Sequence, residues 1–232
     1  MIAVIGATGN TGRAAVQELR ALGEDPLCIV RDAAKARTVL GANARTALAE
    51  VTDRAALQKA LQGIKRLFVV TGHNPQAGEQ QMNILEAAKA AGVELFVKVS
   101  GGRAVVGRDV ESIVGRGHYA VEEALKKSGL AWVVLSPGFF MQNTFAQAES
   151  IKSEGKMVLA YPKDLPLAFI DVRDTGAVGA RILHDPGRHA GQTYAFTGTT
   201  STFEEFAKVF SQVLGKTVTY IGATAEQAEQ AK

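Results

Sequence analysis

Short apolar runs rich in Val and Ile alternate along the chain with longer stretches whose apolar residues return at helical spacing. That alternation predicts a parallel sheet with helices on both faces. Strands are expected over residues 2–5, 27–30, 67–70, 95–99 and 132–135, with a weaker one at 44–50. Helices are expected between them, over 11–22, 33–40, 55–61, 78–91 and 117–128. Thr52 or Asp53 suits the cap of the third helix, because a side-chain oxygen there accepts from the open N–H groups of the first turn. Six strands interleaved in this way suit two βαβαβ halves, a doubly wound α/β fold. Beyond Pro137 the pattern loosens into pieces at 157–160, 169–170, 192–197 and 218–221, which read as a smaller lobe. Thr202-Phe203-Glu204-Glu205 is a capping box, and the helix after it carries an apolar face of Phe206, Val209, Phe210 and Leu214. The division expected is 1–150 for the main domain and 151–232 for a smaller C-terminal lobe, together one structural unit. Residues 225–232 are good helix formers without a cap or a packing face, which reads as a truncated end.

Between the first strand and the first helix lies Gly6-Ala7-Thr8-Gly9-Asn10-Thr11-Gly12. A glycine-rich turn is a weak signal alone, but its place directly after a strand and at the opening of a helix marks a Rossmann-type dinucleotide site. Gly6 permits the tight turn, Gly9 lets backbone approach a pyrophosphate, and Gly12 lets the helix pack closely. The open N–H groups of Thr11 and its neighbours and the helix dipole favour phosphate, with Thr8 and Asn10 as side-chain donors.

The end of the second strand bears on which nicotinamide cofactor is held. An acidic residue about 20 positions beyond the turn holds ribose hydroxyls, whereas Arg pairs bidentately with a 2′-phosphate. Val30 is followed by both, Arg31 and Asp32, with Lys35 and Arg37 close by. Asp32 is explained as the cap of the next helix, so NADP is favoured over NAD, and NADPH over NADH.

Composition narrows the partners. The 232 residues are 47% hydrophobic and carry a formal net charge of only +3, enough for one large core. No basic run is interleaved with aromatics, which argues against nucleic acid. The single cysteine, Cys28, sits in an apolar strand and excludes an internal disulfide or a multi-cysteine metal site. No set of His, Asp and Glu has metal-ligand spacing. Neither a signal peptide nor a bilayer-length apolar stretch is evident, so a cytoplasmic protein without a membrane partner is expected. Oligomeric state, a homodimer included, is left open by the pattern.

The glycine turn, Val30-Arg31-Asp32, Val99-Ser100-Gly101 and the segment Ser136-Pro137-Gly138-Phe139-Phe140-Met141-Gln142-Asn143 occur in this order. In this the chain resembles the NmrA-like atypical short-chain dehydrogenases, most of all their quinone-reductase branch. The resemblance implies that Thr71 and Gly72, Ser100 and Gly101, and Pro137, Gly138, Phe139 and Phe140 line the cofactor cleft, and that Glu50 lies near the adenine. It also places the helix bearing His118 and Tyr119 beside the nicotinamide. Many relatives carry Arg before the Pro of the Pro-Gly-Phe segment, where this chain has Ser136.

Short-chain dehydrogenases use a Tyr with a Lys four residues later, whose ammonium lowers the phenol pKa. That pair is absent: the residues four beyond Tyr119, Tyr161, Tyr194 and Tyr220 are Glu123, Leu165, Gly198 and Thr224. Conjugated acceptors such as quinones, azo compounds and cationic dyes take hydride without that acid, so a planar small molecule of this kind is the expected substrate. His118 is the first candidate proton donor or orienting group, with Glu122 one helical turn away to hold it, and Tyr119 is the second. His73 could border the cleft, and His184 and His189 read as solvated. Phe139, Phe140, Met141 and Asn143 suggest a wall for a planar substrate. The alternative function is a dinucleotide-sensing regulator without turnover.

Overall fold

The computed structural model describes residues 1–222; the expected helix-forming end at 225–232 lies outside them. The chain divides into two compact units. The first comprises Met1–Pro137 and Val172–Phe196, and the second takes Gly138–Asp171 and the chain from Thr197 onward. The single boundary expected near 150 therefore differs from the structure, because the chain leaves the first unit at Pro137 and returns to it later.

In the first unit, strands and helices alternate as β1 (Ile2–Ile5), α1 (Asn10–Ala21), β2 (Leu27–Val30), α2 (Ala33–Leu40), β3 (Thr46–Leu48), α3 (Arg54–Ala60), β4 (Arg66–Val69), α4 (Ala77–Ala90), β5 (Leu95–Val99), α5 (Ile113–Lys126) and β6 (Ala131–Pro137). The second unit opens with β7 (Phe139–Phe140), a 3-10 helix (Met141–Gln147), α6 (Ala148–Glu154), β8 (Lys156–Leu159) and β9 (Leu167–Ile170). The chain then contributes α7 (Val172–His184) and β10 (Gln192–Phe196) to the first unit before β11 (Thr199–Ser201), α8 (Phe203–Leu214) and β12 (Thr219–Gly222) complete the second.

The main sheet has seven strands in the order β10-β6-β5-β4-β1-β2-β3, all parallel. Six of these match the expected strands in the 3-2-1-4-5-6 arrangement of a Rossmann fold. The seventh, β10, was expected in the lobe. It joins the sheet because its backbone finds a parallel partner in β6, with Tyr194 opposite Leu135. Ala3, Ile5, Leu67, Val69, Phe96 and Val134 line one face and pack with Leu57, Ile84, Leu85 and Leu125 from the helices. Asp53, not Thr52, caps α3, accepting from Ala56 N at 2.9 Å. Helix α5 begins one turn earlier than expected, capped by Ser112, whose hydroxyl accepts from Gly115 N at 3.0 Å.

The second unit holds its own core of Ile151, Met157, Phe169, Phe203, Ala207 and Val218. Its strands form two small sheets, β11-β9-β7 and β12-β8. The capping box on α8 is present, with Thr202 Oγ1 accepting from Glu205 N and Glu205 Oε2 accepting from Thr202 N.

Candidate functional site

A parallel sheet brings the carboxyl ends of all its strands to one edge, and its strand order reverses between β1 and β4. A crevice for ligands forms at such a reversal. The glycine turn sits there. Gly6 has φ of 82°, and a Cβ on it would lie 2.1 Å from the Val70 carbonyl oxygen, so β1 and β4 can adjoin only with glycine here. Gly9 N donates to Gly6 O at 3.0 Å and closes the turn. A Cβ on Gly12 would lie 2.2 Å from Gly6 O, so α1 opens hard against the strand end. Gly9 is the N-cap and offers no side-chain acceptor to α1. Asn10 and Gly9 are exposed, Thr8 is half-buried and Thr11 is buried. A dinucleotide pyrophosphate fits this opening, where uncapped N–H groups and the helix dipole favour negative charge.

The neighbouring strand ends carry the other expected residues. Arg31, at the end of β2, is exposed, as are Lys35 and Arg37. Asp32 is the N-cap of α2, accepting from Lys35 N at 2.9 Å. Glu50 is exposed after β3. After β4, the Thr71 hydroxyl accepts from Gln81 Nε2 at 2.8 Å, and Gly72 is exposed. Ser100 and Gly101 follow β5, and Pro137 ends β6.

Between β5, α5 and the loop joining them lies a polar cluster that pattern reading found only in part. Glu122, 2% exposed, accepts from Ser100 Oγ at 2.5 Å and from both terminal nitrogens of Arg103, at 2.7 and 3.0 Å. Arg103 Nε donates to Ser136 Oγ at 2.8 Å, and Ser136 in turn donates to Gly101 O at 2.7 Å. A guanidinium thus reaches the position before Pro137 from the loop after β5. The expected turn-to-turn pairing of Glu122 with His118 gives way to these partners. His118 Nδ1 instead lies 2.9 Å from Nζ of Lys98, a residue of β5 with no exposed surface.

The electrostatics follow from burial and neighbours. Burial pushes the Lys98 ammonium down to about 7, with Glu122 acting against the shift and Arg103 adding to it. Burial, then the Lys98 charge, push the His118 imidazole down to about 3, so His118 is neutral at neutral pH. Burial raises the Glu122 carboxyl, but the hydrogen bonds from Arg103 and Ser100 outweigh it and leave the group below its ordinary value. Lys98 and Arg103 were not anticipated. For Lys98 the signal was present, since one cation inside an otherwise apolar five-residue strand must find partners in the core.

Tyr119 is half-buried, with the Arg108 guanidinium 5.9 Å from its ring centroid. His73 is exposed. The two histidines expected to be solvated have partners: His184 Nδ1 lies 3.0 Å from Glu24 Oε1, and His189 Nδ1 2.8 Å from the Tyr194 hydroxyl. In the second unit, Phe139 packs edge-on to Tyr161, Phe169 and Phe203 at centroid distances of 5.9, 5.6 and 5.6 Å. Met141 packs against the same core. These two side chains are therefore occupied by the lobe's interior, while Phe140 is half-buried and Asn143 exposed. Gly138 is required by close approach, because a Cβ there would lie 2.3 Å from Ala168 O. Among the described residues no group of three or more His, Cys, Asp and Glu could hold a metal, and no helix is long and apolar enough to cross a membrane.

The chain is 35% identical over 232 residues to an NAD(P)H azoreductase of Xenophilus azovorans, covering all of this chain and 80% of that one. It is 36% identical over 217 residues to a (4-alkanoyl-5-oxo-2,5-dihydrofuran-3-yl)methyl phosphate reductase of Streptomyces griseus, covering 93% and 74%. In three dimensions it is similar to an NADPH-dependent quinone oxidoreductase of Escherichia coli solved with NADPH, with a TM-score of 0.85 and 29% identity over 100% of this chain and 81% of that one. The profile of the NmrA-like family matches residues 1–231, so the glycine turn, the sheet order and the segment after β6 have one explanation: this chain belongs to the NmrA-like family.

Proposed function

We propose that this chain is an NADPH-dependent reductase that delivers hydride directly to a planar conjugated acceptor such as a quinone or an azo compound. The observation that carries the reading is the uncapped opening of α1 behind Gly6, Gly9 and Gly12 at the reversal of strand order. The family's azo, quinone and butenolide reductases support the acceptor class, since each named substrate is conjugated.

The residues divide the work as follows. The turn from Gly6 through Thr8, Gly9, Asn10 and Thr11 to Gly12 holds the pyrophosphate, with Arg31 on the 2′-phosphate and Glu50 near the adenine. Asp32 is engaged as a cap, which leaves Arg31 to decide between the two cofactors. Thr71, Gly72, Ser100, Gly101 and Pro137 line the nicotinamide end. The bound dinucleotide supplies the hydride. His118 presents Nε2 to the acceptor and Tyr119 flanks it. Because His118 is neutral, it orients by donating one hydrogen bond and brings no positive charge of its own.

The test is cofactor oxidation with NADPH and NADH against quinones, azo compounds and cationic dyes. Turnover of at least one class, faster with NADPH, is expected. Tight NADPH binding with no acceptor reduced would overturn the reading and put the chain among dinucleotide sensors.

A further inference from the structure

Among the described residues, the charged side chains that lie buried are Lys98 and Glu122. Glu122 is held by Arg103 and Ser100. Lys98 has two polar neighbours within reach, His118 Nδ1 at 2.9 Å and its neighbour's carbonyl, Val99 O, at 3.5 Å. A protonated lysine can only donate, so it compels Nδ1 to accept and keeps the imidazole proton on Nε2. Side chains alternate along a strand, so Lys98 shares the face of Phe96, on which α5 packs. His118 is half-buried and is the member of the pair with access to solvent. A Cβ placed on Gly101 would lie 3.6 Å from His118 Cδ2, so the ring lies beside the carboxyl end of β5, where the site residues gather.

We infer that Lys98 is the proton reservoir of the reductase site, acting through His118: as Nε2–H of His118 passes to the reduced acceptor, an Nζ proton of Lys98 moves onto Nδ1. The inference rests on the reductase reading above. With a quinone, hydride from the reduced nicotinamide leaves a hydroquinone monoanion, and the proton from Nε2 completes the hydroquinone. The imidazole has then lost one proton and gained one, and stays neutral in the opposite tautomer. Lys98 becomes a neutral amine. When product leaves, a solvent proton enters at Nε2 and the Nδ1 proton returns to Nζ, so each cycle takes one hydride from the nicotinamide and one proton from water.

The charged and titratable groups facing the pair are Glu122 on α5, Arg103 in the loop after β5 and His73 in the loop after β4. Glu122 favours the ammonium and Arg103 opposes it, while His73 and Lys98 both disfavour an imidazolium. Lys98 sits near about 7 in this setting, so the reservoir is full in acid and empties as pH rises. Lys98 is thus a positioning residue, and the group that touches substrate is His118.

Two acceptors separate proton delivery from hydride delivery. A quinone needs a proton after hydride, whereas a cationic triarylmethane dye takes hydride at its central carbon and becomes neutral with no proton at all. In Lys98→Met the ratio of quinone to dye turnover is expected to fall on the order of 10²-fold. In the natural chain quinone turnover, but not dye turnover, is expected to decline as pH rises through about 7, and the variant should lack that decline. Equal losses on both acceptors would overturn the reservoir and leave the reductase reading standing. Failure of the natural chain on every acceptor would overturn both. Nitrogen NMR of the imidazole in the protein without cofactor gives a readout independent of turnover. The His118 proton is expected on Nε2 at about pH 6, and a proton resting on Nδ1 would overturn the proposal.

Discussion

Arg31 and Asp32 adjoin at the end of β2, yet the structure gives them different roles. The aspartate accepts from Lys35 N and opens α2, while the arginine is exposed with no such duty in the fold. A guanidinium in that place gains a charge-assisted bond to a 2′-phosphate and nothing comparable from a 2′-hydroxyl. Losing one such bond costs about 1.5–3 kcal/mol. Arg31→Ala should therefore weaken NADPH binding by roughly 10- to 100-fold while changing NADH binding little, as read by fluorescence titration. Equal losses for the two cofactors would overturn the assignment of Arg31 to the 2′-phosphate. Gly12→Ala tests the turn in the same assay. Its methyl would lie 2.2 Å from Gly6 O, a backbone atom that cannot rotate away, so affinity for both cofactors should drop together while the far-ultraviolet circular dichroism stays that of the folded chain.

At the scale of elements, close crossings decide where helices sit. Gly176 of α7 lies so near α1 that a Cβ would be 2.6 Å from the side chain of Ala14 and from Ala15 N, and a Cβ on Gly179 would be 2.2 Å from the Phe68 ring. Overpacking of this kind costs about 1–3 kcal/mol. Gly176→Ala should lower unfolding stability by that amount in urea, and an unchanged midpoint would show that α1 and α7 are free to separate. These glycines also explain what the sequence concealed. The buried positions of α7 recur at helical spacing, but Thr175, Gly176, Gly179 and Ala180 among them are small, so no run of large apolar residues marks the helix although its place in the first unit is firm. Strands β1, β2 and β5 were readable because each is a short apolar run bounded by turn residues, and α8 because Thr202 and Glu205 form its capping box. Strand β10 was visible as a strand but not as a member of the main sheet, since pairing with β6 is a long-range choice that local pattern does not record. The glycine turn was legible because its chemistry is local. The Arg103–Glu122 pair and the Lys98–His118 contact were not, because each joins residues that only the folded crossing of β5, its loop and α5 brings together. Gly78 and Gly117 set a second close approach next to it: a Cβ on Gly78 would be 2.7 Å from Gly117 Cα, so α4 and α5 touch backbone to backbone beside His118.

For the molecule as a whole, the buried cluster ties folding stability to pH through groups that titrate differently when the chain unfolds. His118 takes a proton near 6.5 when unfolded but only near about 3 when folded, so between these values the unfolded state holds more protons. Stability on its account falls as pH drops below 6.5. Glu122, held below its ordinary value, acts in the same direction: its contribution is present above 4.5 and is lost as pH falls through its folded value. Lys98 governs the alkaline side. Its folded pKa of about 7 lies below the unfolded value of 10.5, so between them the unfolded state again holds the extra proton, and stability rises with pH across that window. Unfolding free energies measured in urea at about pH 5, 7 and 9 should therefore increase along the series. The Lys98→Met variant isolates the lysine. It keeps the strand apolar and removes the buried ammonium, so the rise between about pH 7 and 9 should shrink markedly. His118 in that variant no longer faces a cation, its imidazole should accept a proton at higher pH than in the natural chain, and the acid limb should shrink as well. A natural chain and a variant with parallel profiles from about pH 5 to 9 would show that Lys98 keeps its proton in the fold, and that the buried contact with His118 does not couple protonation to folding.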